Sequence, residues 1–160
     1  MERTWVRDRQ AWRLILLGYL PWLAALSLAW EAAHVRLYTL WYDAESAYIA
    51  FSVVHCTLGD VLIGAAALFT ALIGASARSP EGWRWNLVAA LTVLIGLAYT
   101  IFSEWMNVTW LRSWTYAESM PTLTLAGFEF GLTPLAQWIV VPPIALRLAR
   151  TAAGRRRRVR

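Results

Sequence analysis

Apolar residues dominate four long stretches of this chain, and short polar segments separate them. A helix needs about 20 predominantly apolar residues to cross the hydrocarbon core of a bilayer. All four stretches reach or approach that length, so the pattern predicts an all-α, polytopic membrane protein with four transmembrane helices in one bundle. Because the bundle uses most of the sequence, residues 1–160 are expected to form a single domain. The stretches are residues 12–30, 47–77, 85–102 and 123–149.

Within each predicted span the polar residues recur at helical spacing and therefore share one face. Lipid offers these groups no hydrogen bonds, so the four polar faces are expected to meet inside the bundle. The resulting interior is polar, and its charge is concentrated toward the 31–46 and 103–121 loops. The residues on these faces are Ser27, Glu31, His34 and Tyr38; Ser52, His55, Cys56, Gly59 and Asp60; Asn86, Thr92, Gly96, Thr100, Ser103, Glu104 and Asn107; and Thr133 and Gln137.

Composition and charge add an orientation to this picture. Hydrophobic residues make up 59% of the chain and 11 residues are Trp, which exceeds the soluble globular range. Every basic residue is Arg, and all but Arg36 and Arg112 lie outside the 31–46 and 103–121 loops. Positive residues near span ends stay in the cytoplasm. We therefore expect cytoplasmic N- and C-termini in the inner or plasma membrane of the cell, with both loops facing outward.

The C-terminal tail, residues 150–160, is rich in Arg. Next to a membrane span, such a cluster is typical of contact with anionic lipid headgroups. The tail therefore predicts the lipid surface as a partner and gives no support to nucleic-acid binding. A homo-oligomer or a larger membrane complex stays open as a further assembly.

The two outward loops resemble each other. Residues 31–46 and 104–119 align without a gap at an offset of 73, with six identities in 16 positions. We interpret the chain as two tandem helical hairpins, about 12–77 and 85–149, related by a pseudo-twofold axis along the membrane normal; transporters contain parallel repeats of this kind. The alternative is convergent composition of interfacial loops. The identical pairs are Glu31/Glu104, Val35/Val108, Trp41/Trp114, Ala44/Ala117, Glu45/Glu118 and Ser46/Ser119.

Of the residues in the predicted spans, Asp60 has the highest free-energy cost of insertion into the membrane. An Asp at the centre of a membrane helix costs about 2.5–3.5 kcal/mol on insertion scales. It must be protonated, paired, or in contact with water or an ion. Two interpretations follow: a proton or cation site, or a neutral side chain that hydrogen-bonds a neighbouring helix.

Glu31, His34 and Glu104 are predicted to cluster at the outer mouth of the bundle. Carboxylates and imidazoles are ligands for zinc, copper or iron, and they also serve as general acids and bases. The spacing Glu31-x-x-His34 puts both groups on one helical face, as in the metal sites of helix bundles. The alternative is that both glutamates pair with Arg36 and Arg112 at the interface. A metal ion is therefore a candidate cofactor.

His55 is a second candidate for metal ligation or proton transfer, with an interhelical hydrogen bond as the alternative. By residue count His34 and His55 differ in depth by roughly 10 Å. That difference argues against a haem held between them. Asn107 takes the place of His34 in the second hairpin, so the ligand set is not symmetric. Cys56 is the only cysteine, which excludes an internal disulfide, and we expect it to pack between helices.

The first functional hypothesis is a transporter, binder or cofactor-holding subunit with an ion or a small hydrophobic or cationic ligand in a polar intramembrane cavity open to the outer side. The second is an enzyme that acts on a lipid or isoprenoid through Glu31, His34 and Glu104. The third is an accessory subunit of a membrane complex. The chain contains none of the common nucleotide-binding or hydrolase motifs. The predicted ligand contacts are Asp60, His55, Glu31, Glu104, Asn107 and Gln137.

Overall fold

The computed structural model describes residues 4–158, and the side chains up to residue 154. The expected contact between the tail and anionic lipid falls mainly on residues 155–160, whose side chains lie outside the described part. Within that part, four helices are long and apolar enough to cross a membrane. They are α1 (Arg9–Leu37), α2 (Ser46–Gly74), α3 (Trp85–Trp110) and α4 (Leu132–Gly154). The prediction of an all-α, four-helix membrane bundle is confirmed.

The helices begin and deform where the sequence dictates. Asp8 caps the start of α1 by accepting the Gln10 backbone N–H at 2.7 Å. Within α1, a π-helical segment at Ile15–Tyr19 comes just before Pro21. Proline removes one backbone donor, and local π geometry is one way in which membrane helices accommodate that loss. A 3₁₀ turn, Val35–Leu37, ends α1, and a short helix, Leu40–Asp43, leads to α2.

The four spans form a closed ring in which each packs against two others: α1 against α2 and α4, and α3 against the same two. The half of the bundle nearer the first and last described residues is apolar. Tyr19 is fully buried there and donates its hydroxyl to the Gly64 carbonyl oxygen at 3.3 Å. The other fully buried residues of this region include Ile15, Leu23, Leu68, Leu72, Val88 and Ala145.

The start of the fourth span was predicted wrongly. Residues 123–131 are not helical: Thr122–Leu125 (β1) pairs antiparallel with Phe128–Gly131 (β2), and α4 begins only at Leu132. Threonine and leucine alternate along β1, which favours a strand. Ala126 and Gly127 both have positive φ, at 52° and 81°. A two-residue hairpin turn needs that geometry.

The loops that follow α1 and α3 contact each other. Tyr38 and Tyr116 form an isolated antiparallel bridge, and the Ala117 N–H donates to the Leu37 carbonyl at 2.9 Å. Beside them, the Thr39 and Thr115 hydroxyls are hydrogen-bonded at 2.7 Å. We call residues 37–39 and 115–117, together with the hairpin 122–131, the cap. It lies at the end of the bundle opposite the first and last described residues.

Candidate acid site under the cap

Polar side chains from all four spans converge below the cap. Gln137 of α4 donates Nε2 to Asp60 Oδ2 of α2 at 2.6 Å. Ser27 and Glu31, one turn apart on α1, also lie beside the Asp60 carboxyl group, without a well-formed hydrogen bond to it. Glu104 of α3 lies close enough to interact electrostatically with Glu31. We call Ser27, Glu31, Asp60, Glu104 and Gln137 the acid cluster.

The acid cluster lies inside the bundle. Glu31 is 8% exposed, and Glu104 and Gln137 are each 4% exposed. Asp60 is partly buried. Cys56, one turn before Asp60 on α2, lies within electrostatic range of all three carboxyl groups. The predicted convergence of Glu31, Asp60, Glu104 and Gln137 is therefore present in the structure.

The carboxyl groups have no arginine partner among the described residues. Arg36 instead lies over the Trp41 ring at 5.5 Å, and Arg112 is exposed. The alternative in which these two arginines pair with Glu31 and Glu104 is therefore wrong, because the guanidinium groups stay in the surface loops while the glutamates face inward. The nearest basic group is the His34 imidazole, whose Nε2 lies 3.7 Å from Glu31 Oε2.

Tyr116 connects the cap to the acid cluster. Its phenol donates a hydrogen bond to Glu104 Oε2 and accepts one from the Gly131 backbone N–H at 2.9 Å. Burial raises the pKa of Tyr116 well above its usual value, and the hydrogen bond to Glu104 adds to that rise. Burial likewise raises the pKa of Tyr38, whose ring centroid lies 5.8 Å from that of Tyr116.

Three buried nitrogens near this site have no hydrogen-bond partner within the described part of the chain: His34 Nδ1, Trp30 Nε1 and Trp114 Nε1. The His34 side chain is only 9% exposed and lies between the Trp30 and Tyr38 rings, at 6.5 and 5.6 Å. The Trp114 indole lies beside the Glu104 carboxyl group without a well-formed hydrogen bond. Buried polar atoms are normally paired, so the site contains polar atoms that the described protein groups leave unsatisfied.

Two predicted contacts lie outside the acid cluster. His55 is exposed on the bundle surface, where its ring stacks on Phe51 at 5.6 Å. His55 precedes Asp60 by five residues, which corresponds to a rotation of about 140° around a helix. The two side chains therefore cannot both point into the bundle. Asn107 donates to the Ser103 carbonyl of its own helix at 2.9 Å.

The candidate metal and haem ligands are not assembled either. His34 is buried beside Glu31, whereas His55 faces away from the bundle, so the two imidazoles do not face each other. Among the described residues, no group of three or more His, Cys, Asp or Glu side chains is arranged to hold a metal ion.

Tyr116 and Trp114 are site residues that the sequence did not reveal. Both lie in a loop whose many aromatic residues are typical of an interfacial belt, and a loop has no periodicity to show which side chains turn inward. Trp114 aligns with Trp41 in the similarity between the two outward loops, but Trp41 is exposed, so the alignment did not indicate a buried site residue.

Comparison with known proteins does not add to this picture: no protein-family model, curated protein or solved structure matches the chain. The functional argument therefore depends on the acid cluster and the cap.

Proposed function

We propose that the protein binds a cation in the acid cluster and exchanges it with the outer side of the membrane, as a small transporter or binder. The observation that carries the proposal is the convergence of three carboxyl side chains and one amide, from all four spans, without a partner among the described arginines. Acidic residues inside membrane bundles commonly mark ion pathways or proton relays.

The physical reason is desolvation. An unpaired carboxylate loses several kcal/mol of hydration when it leaves water. Asp60, Glu31 and Glu104 are therefore not stable with all three ionised, and protons or another bound cation must offset part of their charge. Gln137 and Ser27 supply further polar contacts, so the cluster can orient a cation as well as offset its charge.

The surroundings define the class of cation. Carboxylate, amide and hydroxyl oxygens suit hard inorganic cations and protons. The faces of Tyr38, Tyr116 and Trp114 lie on the cap side and attract ammonium groups as well. Because the described residues contain no group of three or more His, Cys, Asp or Glu side chains arranged to hold a metal ion, the ligand class is a proton or a small ammonium ion.

The arginine distribution supports the orientation in this proposal. It favours cytoplasmic termini in the inner or plasma membrane, which places the cap outside. Glu31 and Glu104 each lie six residues before the end of their spans, about 9 Å at 1.5 Å per residue. The outer route to the acid cluster is thus short, and the cap closes it.

The buried positions also support the proposed duplication. All five buried residues of the segment Trp85–Glu104 lie 73 positions after a buried residue of α1. The repeat then explains why Glu31 and Glu104 lie at the same depth in different spans. The buried pairs are Ile15/Val88, Tyr19/Thr92, Leu23/Gly96, Ser27/Thr100 and Glu31/Glu104.

The test replaces the acids one at a time. A cation bound only to the folded protein stabilises it by about 2.7 kcal/mol at 100 times its Kd. We expect protons, tetramethylammonium or both to raise the melting temperature of the purified protein. Asp60→Asn and Glu104→Gln should each remove that rise while the protein stays folded.

Glu118→Gln is the matched control, because Glu118 is an exposed acid of the outward loop. It should leave the stabilisation intact. The proposal fails if neither protons nor tetramethylammonium stabilises the wild-type protein, or if both acid variants respond as the wild type does.

A further inference from the structure

The Tyr116 phenol occupies a position that no other described hydroxyl shares. It joins Glu104 of the acid cluster to the Gly131 N–H, where the hairpin meets α4. Its ring lies against Tyr38, which belongs to the loop after α1. One side chain thus connects the site to both halves of the cap.

We propose that Tyr116 is the latch of the acid cluster, holding the cap closed through Glu104 and releasing it when a cation occupies that carboxyl group. This inference rests on the proposed cation site and adds to it the residue that controls access from the cap side.

The chemistry of the shared oxygen supports the latch. The phenol donates to Glu104 Oε2, and hydrogen bonds to a charged carboxylate are about twice as strong as neutral ones. A cation bound at Glu104 withdraws electron density from the same oxygens and weakens the bond. The groups that face the phenol are Glu104, Glu129 and Tyr38, so Glu104 is the one it shares with the acid cluster.

The backbone transmits this change to the cap. The Gly131 N–H donates to the Tyr116 oxygen, and a Cβ at position 131 would lie 3.1 Å from the Tyr116 ring. The ring is therefore packed against the backbone where β2 ends. Displacement of Tyr116 leaves that N–H without its partner, which favours movement of the hairpin away from the acid cluster.

Labelling of Cys56 can report access to the acid cluster, because Cys56 is the only cysteine and lies within electrostatic range of all three carboxyl groups. Sealed right-side-out and inside-out vesicles would be treated with a membrane-impermeant maleimide, and separately with N-ethylmaleimide. The labelling rate with the impermeant maleimide, divided by the rate with N-ethylmaleimide, measures access to Cys56 from the aqueous side. The division removes the effect of the reactivity of the thiol. Cys56→Ser confirms the site of labelling.

We expect Tyr116→Phe to raise this ratio about tenfold or more from the cap side only, since a hydrogen bond to a charged group contributes about that factor. Tyr42→Phe is the matched control, because Tyr42 is 67% exposed in the neighbouring loop. Its ratio should equal that of the wild type.

Glu104→Gln tests the link to the site, because the amide keeps the shape of the carboxyl group and removes its charge. It should raise the ratio as well, and the double variant should add little beyond either single change. Independent, additive effects would overturn the latch, as would unchanged ratios in both variants. If cation stabilisation persists in wild-type protein with unchanged ratios, the latch is wrong and the cation site stands.

Discussion

At the scale of single residues, two glycines show how closely the spans approach. A Cβ built on Gly96 of α3 would lie 2.0 Å from the Trp138 ring of α4, and one on Gly64 would lie 2.4 Å from Leu23 of α1. Membrane helices gain little from the hydrophobic effect between spans, so such close backbone contact supplies much of their association. Gly59, in contrast, has nothing within 4 Å of that position.

Gly96→Ala should destabilise the bundle by about 1–3 kcal/mol, because the rigid indole of Trp138 leaves no room for a methyl group. Gly59→Ala adds the same methyl group to open space and should cause no loss of stability. The free energy of unfolding, measured by titration with a denaturing detergent, checks both. Equal effects of the two changes would contradict this account of the contact.

The same scale shows what the sequence could reveal about the site. Helical spacing was enough to place Glu31, Asp60, Glu104 and Gln137 on faces that meet, because lipid leaves buried polar groups no other partners. It could not place His55, because the polar arc of α2 is wider than the face that the bundle buries. Only the side of that arc that contains Asp60 is turned inward. The role of Tyr116 could not be predicted, because it lies in a loop, where no periodicity shows which side chains turn inward.

At the scale of elements, the hairpin shows why span ends are harder to predict than span cores. The segment 123–131 is apolar enough to read as the first turns of a helix, and hydrophobicity alone does not separate the two. Two features favour a strand pair instead: the alternation of Thr and Leu along β1, and the turn at Ala126 and Gly127, where both φ angles are positive. As a result, a two-stranded sheet lies on the cap side of the acid cluster, where about two and a half turns of helix were expected.

The hairpin turn should respond to substitutions that change the cost of positive φ. Gly127→Val should weaken the hairpin by about 1–2 kcal/mol, because a side chain at φ 81° is strained. Ala126→Asn should strengthen it, since Asn-Gly favours this turn. The rate of chymotrypsin cleavage at Phe128 measures local opening and should rise about tenfold in Gly127→Val.

Gly82→Val serves as the control for the turn, because Gly82 lies in an exposed loop at the other end of the bundle and a Cβ built there has no described atom within 4 Å. It should leave cleavage at Phe128 unchanged. An identical cleavage rate in Gly127→Val and the wild type would mean that the turn geometry does not govern the hairpin.

At the scale of the whole molecule, the four spans follow chain order around the ring and so make two consecutive helical hairpins, which also pack extensively against each other. α1 and α2 form one, and α3 and α4 form the other, with contacts between them along α2–α3 and α1–α4. The hydrogen bond from Gln137 to Asp60 crosses this boundary, and so do the contacts between the two loops of the cap. The acid cluster is therefore complete only when both hairpins are present.

This division predicts that the chain can be cut between the hairpins. Glu81 and Gly82 are exposed in the loop that joins α2 to α3, and exposed loops tolerate a break. Residues 1–81 and 82–160, expressed together, should associate and copurify through a tag on one half.

Gln137→Leu should lower the copurified fraction, because it removes the donor that crosses to Asp60 and leaves that carboxyl group less well satisfied. Ile139→Leu is the control, since Ile139 is 57% exposed on the same helix and should leave association unchanged. Halves that insert into the membrane and yet fail to associate would show that the two hairpins require the covalent link between them.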